Sequence, residues 1–379
     1  MKDRPTRVLF VSKPIAPPWH DGSKNLVRDV VSHLKRAVPT VMTTEAFAKA
    51  STLPSRVRTE AVYRSAGRFS PPLLANARVL ARLLQGDPHD VWHFVFAPNP
   101  ASSGAALLAK TLRRMLGFRG PVVQTVASAP RSFDGVSRLV FGDHVIALSE
   151  WTRGRLVGAG VTGVPIHVIP PCALAPARPS DEAVRALKAK HGLHGKVVLY
   201  PGDLEFSRGA ANVVAAMPLL LALVPDVTLV LACRKKTVRA EAAEAMLLAE
   251  ISRLGLSANV RVVGEVSSMP TLLAASDAIA FPVEDLYGKV DVPLVLLEAM
   301  ALGVPMVVAE DGPLEGLAPA ARLVAPGADE PLARTLAELL GPSGAGAHAN
   351  RAGLALYNAR FTPEVVARAH DALYAEVKA

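Results

Sequence analysis

The fold is decided by residues 281–308, FPVEDLYGKVDVPLVLLEAMALGVPMVV, which predict a strand end, a polar loop, a helix and a second strand in close succession. An apolar strand at 279–281 leads into the loop, where Gly288 permits left-handed backbone angles. The mostly apolar run Leu294–Leu302 predicts the helix, and residues 304–308 predict the second strand. A polar loop that joins the carboxyl end of a strand to a helix N-terminus is where open α/β sheets bind anionic ligands.

Three charged side chains stand out in this otherwise apolar stretch. Asp291 lies in the predicted loop, with Lys289 two residues before it. Glu298 lies in the predicted helix, seven residues or about two helical turns after Asp291. An acid inside a core helix can have a purely structural role, as a helix cap or as the partner in an ion pair. Acids at this edge of a sheet are also candidates for binding a ligand.

The stretch resembles the nucleotide-sugar loop of the family-four retaining glycosyltransferases, which have the GT-B fold. Their signature is a Glu, seven residues, and a second Glu followed by Ala-Met-Ala-x-Gly-x-Pro. Residues 298–305, EAMALGVP, match the second half of this signature residue for residue. Val290 stands where the first Glu is expected, and Asp291, one position later, is the candidate substitute.

The resemblance implies an α/β protein with two Rossmann-like, doubly wound parallel-sheet domains that face each other across a cleft. The acceptor-side domain is expected at residues 1–172 and the nucleotide-sugar-binding domain at 173–361, with a final helix at 362–379 that crosses back to the first domain. The sequence itself favours this class because short apolar strands alternate with helices. We predict strands at 7–12, 91–96, 121–125, 144–148, 165–169, 197–200, 227–232, 260–263 and 278–281, and an irregular or helical segment at 50–86.

A second motif follows the predicted strand at 197–200. The family has Gly-Arg-Leu, three residues and Lys-Gly here, and its two cations bind the diphosphate. Gly202 and Gly209 match this pattern, and Arg208 replaces the Lys. Asp203 replaces the Arg, which removes one cation, and the Arg-Lys pair at 234–235 is a candidate to supply the missing charge. Solvated charges at a strand end are the alternative for that pair.

Two further turns resemble family elements. Gly264 and Val266 flank the segment whose backbone reads the nucleobase in the family. In the first turn of the chain, Asp21-Gly22 stands in place of a Gly-Gly pair on the acceptor side, and Ser23 is predicted to cap a helix that runs to about residue 35. Ser149 is predicted to cap another helix.

The resemblance therefore assigns roles by position. Glu298 is expected to hold the ribose hydroxyls, Arg208 the diphosphate, and the loop after residue 287 the phosphate and sugar. The catalytic candidates are Asp291, Glu298, Arg208 and Lys289. The candidates for binding the donor or lining the acceptor side are Gly22, Gly202, Arg208, Gly264, Val266, Gly288, Val290, Val292 and Glu298.

The implied reaction is transfer of a sugar from a nucleotide diphosphate sugar to a glycan, lipid-linked or small-molecule hydroxyl, with retention of configuration. No Asp-x-Asp sequence and no metal-ligand spacing occurs, so we expect neither a metal nor a further cofactor. The family's sugar-contacting His is replaced by Ala127, and His93 is a weaker candidate on a neighbouring strand. Two alternatives remain open: a nucleotide-sugar epimerase on this scaffold, and a binding protein without catalytic activity.

Composition limits the class of protein. Half of the 379 residues are apolar and 20% are charged, which is typical of a globular chain large enough for two domains. The two cysteines, Cys172 and Cys233, have no metal-ligand spacing and are expected to be reduced thiols of a cytoplasmic protein. The apolar run at 8–11 is too short for a signal peptide, and no run is long enough to span a membrane.

Charge is unevenly distributed. Residues 1–172 carry 23 basic and 10 acidic side chains, whereas the rest of the chain carries 19 and 23. A predicted helix at 105–118 places five apolar side chains, Leu107, Leu108, Leu112, Met115 and Leu116, opposite Lys110, Arg113 and Arg114. This pattern is typical of an ordinary surface helix, and peripheral contact with an anionic membrane is the alternative. Aromatic residues are only 5% of the chain and do not alternate with the basic ones, so we predict no nucleic-acid binding.

Overall fold

The computed structural model describes residues 4–66, 73–86, 88–235, 238–318 and 320–378, which form two compact units. The first unit comprises Met1–Leu174, Gly288–Leu294 and Arg360–Ala379. The second comprises Ala175–Tyr287 and Val295–Ala359. The short segment Gly288–Leu294 thus packs with the first unit, although the chain on either side of it belongs to the second.

A parallel sheet forms the centre of the first unit. Its strands are β1 (Arg7–Val11), β2 (Val38–Thr44), β3 (Arg58–Tyr63), β4 (Val91–Phe96), β5 (Val122–Val126), β6 (His144–Ala147) and β7 (Ile166–Val168). Over the described residues they pair in the order β3-β2-β1-β4-β5-β6-β7, with Val8 of β1 opposite Pro39 of β2 and Val91 of β4. The winding direction reverses between β1 and β4, and such a switch point is a common place for ligands to bind.

The helices of this part of the chain are α1 (Gly22–His33), α2 (Glu45–Lys49), α3 (Leu73–Leu84), α4 (Pro100–Met115) and α5 (Glu150–Gly158). The predicted cap of α1 is wrong by two residues. Asp21, not Ser23, is the N-cap, and its carboxylate accepts hydrogen bonds from the backbone N–H groups of Ser23 (2.9 Å) and Lys24 (3.3 Å). Helix α4 also begins earlier than predicted, because Asn99 caps it through the N–H of Ser102 at 2.9 Å.

The prediction for residues 50–86 is wrong in part, since residues 58–63 form strand β3. This strand lies at the edge of the sheet and pairs with β2 alone. Only Tyr63 is buried in it, and Arg58 and Ala61 are exposed. An edge strand with polar residues on both faces lacks the apolar run that identifies the buried strands.

The second unit repeats the architecture with a shorter sheet. Its strands are β8 (Lys196–Tyr200), β9 (Val227–Leu231), β10 (Val260–Val262), β11 (Ala278–Phe281), β12 (Met306–Ala309) and β13 (Arg322–Val324). Its helices are α6 (Asp181–His191), α7 (Gly209–Leu223), α8 (Arg239–Arg253), α9 (Met269–Ala274), α10 (Leu294–Leu302), α11 (Asp329–Leu340) and α12 (Ala345–Arg360). The described strands are all parallel and pair in the order β10-β9-β8-β11-β12-β13. Two doubly wound parallel sheets confirm the predicted fold class.

The last helix, α13 (Pro363–Lys378), packs with the first unit. The hydroxyl of Tyr374 lies 2.6 Å from His93 Nδ1, and both side chains are buried. The Asp371 carboxylate accepts hydrogen bonds from three consecutive backbone N–H groups at residues 35–37. These contacts attach the end of the chain to β4 and to the turn after α1.

Helix length has a bearing on the membrane question. Helices α4, α12 and α13 have 16 residues each. No helix within the described ranges is long and apolar enough to cross a membrane.

Candidate functional site

The loop after β8 closes over a buried tyrosine. Tyr200 is fully buried, and its ring stacks on Phe281 with 5.7 Å between centroids. A Cβ atom at Gly202 would lie 2.1 Å from Tyr200 Cζ, and one at Gly209 would lie 2.7 Å from Tyr200 Cε2. Both glycines are therefore required by the close approach of backbone to ring.

Asp203, which replaces the Arg of the family pattern, shapes this loop. Its side chain is 1% exposed, and its carboxylate accepts hydrogen bonds from the backbone N–H groups of Phe206 (2.9 Å) and Ser207 (3.3 Å). A carboxylate used this way holds a turn. The departure from the family pattern therefore places an acid inside the loop rather than on its surface.

Arg208 lies where the loop enters α7. Its backbone is left-handed (φ 51°) at the N-cap position, so the first N–H groups of α7 follow it directly. Its side chain is 72% exposed, and its Nε lies 3.4 Å from the carboxylate of Glu284, which is 40% exposed. An ion pair this exposed contributes little to stability, so the guanidinium can exchange Glu284 for a phosphate at small cost.

Hydrogen bonds join this loop to the end of β11. The N–H of Glu284 donates to the carbonyl of Ser207 at 3.0 Å, and Asn212 Nδ2 donates to the carbonyl of Pro282 at 3.0 Å. Asn212 is on α7, so the loop, the helix and the segment after β11 are fixed to one another. This gives Arg208 a defined position at the edge of the second sheet.

Lys235 of the candidate pair at 234–235 forms an ion pair within the second unit. Lys235 Nζ lies 2.6 Å from the carboxylate of Glu244 on α8, and this contact raises the pKa of Lys235. The lysine remains protonated, but its charge is compensated within the unit. Its neighbour Arg234 is partly buried.

Gly264 and Val266 lie between β10 and α9. Gly264 has left-handed backbone angles (φ 59°), which few other residues adopt without strain. Val266 is partly exposed. Because β8 and β10 are parallel strands of one sheet, Gly202 and Gly264 lie at the same, carboxyl-terminal edge of it.

Glu298 lies in the middle of α10, between residues of the core. Leu297 and Ala299 are 0% exposed, whereas Glu298 is partly exposed. Burial thus fixes the rotation of the helix, and the acid is held at its accessible side. This is the arrangement expected for a carboxylate that binds a ligand rather than one enclosed in the core.

The segment Gly288–Leu294 contains most of the remaining candidates. Gly288 is left-handed (φ 72°), as predicted, and Lys289 is partly exposed. Val290 and Val292 are 4% and 3% exposed. A Cβ atom at Gly22 would lie 3.6 and 3.7 Å from the two methyl groups of Val290, which is ordinary contact distance. The apolar residue at the position of the family's first Glu therefore packs against the start of α1.

Asp291 points into the first unit. It is 1% exposed, and Oγ of Ser149 donates a hydrogen bond to its carboxylate at 2.6 Å. Burial raises the pKa of Asp291 above its usual value, and the hydrogen bond from Ser149 opposes that shift. Ser149 is also the predicted N-cap of α5, which is confirmed because its Oγ accepts from the N–H of Thr152 at 3.0 Å.

The turn before α1 is organised around Asp21. Lys13 Nζ donates to its carboxylate at 2.6 Å. Burial alone would raise the pKa of Asp21, but the lysine and the hydrogen bonds from Ser23 and Lys24 outweigh it and lower the pKa. The guanidinium of Arg28 lies 5.0 Å from the ring of Trp19. Gly22 therefore begins a helix whose first turn is held by a compact group of charged side chains.

His93 belongs to the core of the first unit. It is 1% exposed, with Nδ1 2.6 Å from the Tyr374 hydroxyl and Nε2 2.7 Å from Thr125 Oγ1. Burial and the neighbouring His370 hold the pKa of His93 well below its usual value. A neutral histidine with both ring nitrogens occupied is a structural residue.

Sequence reasoning missed the partners of the two aspartates at the predicted site. Asp203 accepts hydrogen bonds from backbone N–H groups of its own loop, and an Asp that precedes a turn can indicate such bonds. Asp291 bonds to Ser149, which is 142 residues away and carries no local signal. In the part of the chain that the structure describes, no group of three His, Cys, Asp or Glu side chains is arranged to hold a metal ion.

Comparison with known proteins finds similar sequences and structures. Residues 195–341 match the family described as Glycosyl transferases group 1. The chain is 26% identical over 309 residues to the GDP-mannose-dependent monoacylated alpha-(1-6)-phosphatidylinositol monomannoside mannosyltransferase of Corynebacterium glutamicum, covering 78% of each chain.

Solved structures share the fold over nearly the whole length. HepE of Anabaena, in complex with UDP-glucose, has a TM-score of 0.74 at 19% identity, over 98% of this chain and 99% of that one. Sucrose-phosphate synthase of Thermosynechococcus elongatus has a TM-score of 0.76 at 18% identity, over 98% and 99%. The family match covers the Gly202 loop and the Glu298 helix and bears out the resemblance seen in the sequence, since residues 195–341 are similar to the group 1 glycosyltransferases. The solved structures show that the whole chain shares their two-sheet fold.

Proposed function

We propose that the protein transfers a glycosyl group from a nucleotide diphosphate sugar to an acceptor hydroxyl, with retention of configuration. The observation that carries the proposal is the placement of Glu298, held partly exposed on α10 by fully buried neighbours within the EAMALGVP motif. Two similar proteins support this donor class, one named as GDP-mannose-dependent and one solved with UDP-glucose.

The second unit has the parts needed to bind the nucleotide. Glu298 would accept hydrogen bonds from the ribose hydroxyls, since a carboxylate can accept two at once. The backbone from Gly264 to Val266 would contact the base. Arg208 and the N-terminus of α7 would hold the diphosphate, where both the guanidinium and the helix dipole favour negative charge.

The segment after β11 would hold the sugar end of the donor. Lys289 is partly exposed there, and the backbone N–H groups of Gly288, Val290 and Val292 are in the same stretch. Gly22 would line the acceptor side. Stabilising the departing diphosphate is the main electrostatic demand of the reaction, and we assign it to Arg208 and the start of α7 rather than to a metal ion.

Loss of Glu298 is expected to remove nucleotide binding without unfolding the protein. A ligand at about a hundred times its Kd adds about 2.7 kcal/mol to the stability of the folded state. We expect either UDP and UDP-glucose or GDP and GDP-mannose to raise the melting temperature of the wild type, and neither pair to raise that of Glu298→Ala. Thermal-shift measurements check this.

Glu250→Ala is the matched control, because Glu250 is also a helical glutamate but pairs with Arg253 on the surface of α8. It should keep the full ligand shift. A nucleotide shift that persists unchanged in Glu298→Ala would contradict the assigned role. No shift with any of these ligands in the wild type would favour the non-catalytic alternative.

Transfer and epimerisation are separated by their products. Incubation with the donor that gives the thermal shift should release the nucleoside diphosphate together with a sugar attached to the acceptor. An epimerase would convert the donor sugar without an acceptor. Nuclear magnetic resonance of the product's anomeric signal then tests retention directly.

We further propose that the acceptor is presented at an anionic membrane surface and that α4 makes the contact. Helix α4 buries small residues and Lys110, and it leaves four apolar side chains exposed: Leu107 (49%), Leu108 (48%), Met115 (78%) and Leu116 (66%). Arg113, Arg114 and Arg119 lie on the same helix and in the turn that follows. Exposed apolar groups beside arginines suit shallow insertion among anionic headgroups.

Replacing Leu107 and Leu108 together with serine is expected to weaken binding to mixed phosphatidylcholine–phosphatidylglycerol vesicles by about tenfold or more, because two half-exposed leucines lose their apolar transfer energy. Co-sedimentation measures it. Met246 (75%) and Leu248 (48%) on α8 are also exposed but lie on a helix with Glu241, Glu244 and Glu250. Met246→Ser with Leu248→Ser should therefore leave vesicle binding unchanged. Wild-type binding that ignores both lipid charge and salt would contradict the contact.

A further inference from the structure

A hydrogen bond connects the side chains of Asp291 and Ser149. It joins the segment Gly288–Leu294 to the first turn of α5, within the first unit. The oxygen atoms are 2.6 Å apart, and the aspartate is 1% exposed. A carboxylate enclosed in this way cannot reach a bound sugar, although its position in the sequence marks it as a catalytic candidate.

Packing on both sides of Asp291 holds the segment in the same place. Val290 contacts the start of α1 at Gly22, and Val292 is 3% exposed. Gly288 and Lys289, which precede these three residues, remain accessible. Residues 290–292 are thus buried and anchor the segment, whereas residues 288–289 form an accessible loop.

Ser149 has two functions in this arrangement. Its Oγ accepts the N–H of Thr152 and so caps α5, and its hydroxyl proton is donated to Asp291. The carboxylate therefore lies beside a helix N-terminus, where the dipole favours negative charge. The bond also joins two stretches of chain that are 142 residues apart in the sequence.

We propose that Asp291 and Ser149 are positioning residues that hold the loop at Gly288–Val290 in the geometry required for the sugar end of the donor. The inference rests on the proposed function, because it assumes that this loop holds the sugar. It gives Asp291 a role through Ser149 rather than at the reacting atoms. The inference concerns the sugar end of the donor alone, so binding of the nucleotide is not expected to depend on the bond between Asp291 and Ser149.

The direct test needs no ligand. Hydrogen–deuterium exchange of the peptide covering Gly288–Leu294 should be faster in Ser149→Ala and in Asp291→Ala than in the wild type, and the double variant should be no faster than either single one. Ser180→Ala is the matched control, since Ser180 caps α6 through the N–H of Ala183 but has no carboxylate partner. Exchange that is unchanged in both Ser149→Ala and Asp291→Ala would overturn the inference, whatever the function of the protein.

Kinetics test the consequence. With whichever of UDP-glucose and GDP-mannose stabilises the wild type, kcat/KM should fall by about 10- to 100-fold in Ser149→Ala and Asp291→Ala, because small displacements at a reacting centre are costly. The Kd of the corresponding nucleoside diphosphate alone should not change. Asp291→Asn, whose side-chain oxygen can still accept from Ser149, should recover most of the loss relative to Asp291→Ala.

The opposite pattern identifies a catalytic carboxylate. If Asp291→Asn is as impaired as Asp291→Ala while Ser149→Ala has wild-type kinetics, Asp291 acts on the donor itself and the inference fails. Failure of the proposed function is seen separately, as absence of nucleotide binding or transfer in the wild type with the exchange result intact.

Thermal stability, measured beside activity, separates a positioning role from a contribution to folding. Burial raises the pKa of Asp291 above its usual 3.8, so stability from its neutral form is present below that value and is lost as the pH rises through the raised pKa. The ionised carboxylate is therefore less favourable in the folded state than in the unfolded state. Asp291→Asn should melt no lower than the wild type at pH 7 and yet be less active than it.

Discussion

Gly202→Ala is expected to lower the free energy of unfolding by about 3 kcal/mol and to abolish nucleotide binding. The added Cβ would lie 2.1 Å from Tyr200 Cζ, and the ring has no room to move. It is fully buried, stacks on Phe281, and its hydroxyl bonds to the Asp203 carbonyl (3.2 Å) and Ser207 Oγ (3.1 Å). Any relief of the clash must displace the loop that presents Arg208. Urea unfolding and the nucleotide thermal shift measure both effects.

The cause can be isolated with a second substitution. If the clash is with the ring, Gly202→Ala combined with Tyr200→Leu should be destabilised by less than the sum of the two single variants. Gly104→Ala is the control, since nothing lies within 4 Å of a Cβ there and Gly104 is exposed on α4. It should be neutral or stabilising by about 0.5–1 kcal/mol. Simple additivity of the double variant would contradict the steric explanation.

The fold could be predicted because its signal is local. Buried parallel strands such as β8 and β11 are covered on both faces, so each appears in the sequence as a short apolar run between turns. Strand β3 has no such run, because its exposed edge position permits arginine, threonine and glutamate. Its pairing with β2 is decided by tertiary contacts that no window of sequence contains.

Helix starts were less predictable for a related reason. Both Asp21 and Ser23 are good N-caps, and the chain uses Asp21 because its carboxylate also pairs with Lys13. The buried face of α4 could not be predicted from the sequence for a similar reason. Its buried face contains Ser103, Ala106 and Ala109, and also Lys110, which pairs with Asp143 at 2.7 Å. A sequence pattern treats leucine as buried and lysine as exposed, and a distant acid can invert that.

The predicted site shows the same division. Residues identified by a contiguous motif, such as Gly202, Gly264 and Glu298, lie at strand ends and on α10 as that motif requires. The sequence shows which residues of the motif are replaced, but it does not show what the replacing side chains contact. The roles of Asp203 and Asp291 become clear only when their hydrogen-bond partners are known. The partner of Asp291 is Ser149, which lies 142 residues earlier in the chain. Interpretation of a substituted motif residue thus depends on packing.

Asp371→Ala is expected to destabilise the first unit by about 4 kcal/mol, because it removes one acceptor from three backbone donors at once. The carboxylate is 5% exposed and accepts from the N–H groups of Lys35 (2.7 Å), Arg36 (3.0 Å) and Ala37 (2.8 Å). These N–H groups lie in the turn between α1 and β2, and that of Ala37 is buried.

Asp371→Asn retains one side-chain oxygen and should lie between the wild type and Asp371→Ala, since it loses the charge and one of the two acceptor atoms. Glu376→Ala is the control: it removes an exposed carboxylate from the same helix and should change stability by less than about 0.5 kcal/mol. Chemical unfolding followed by a probe in the first unit measures the series. Equal stabilities for Asp371→Ala and Glu376→Ala would mean that the turn after α1 does not depend on α13, and that the end of the chain is held by the His93–Tyr374 contact and its apolar neighbours instead.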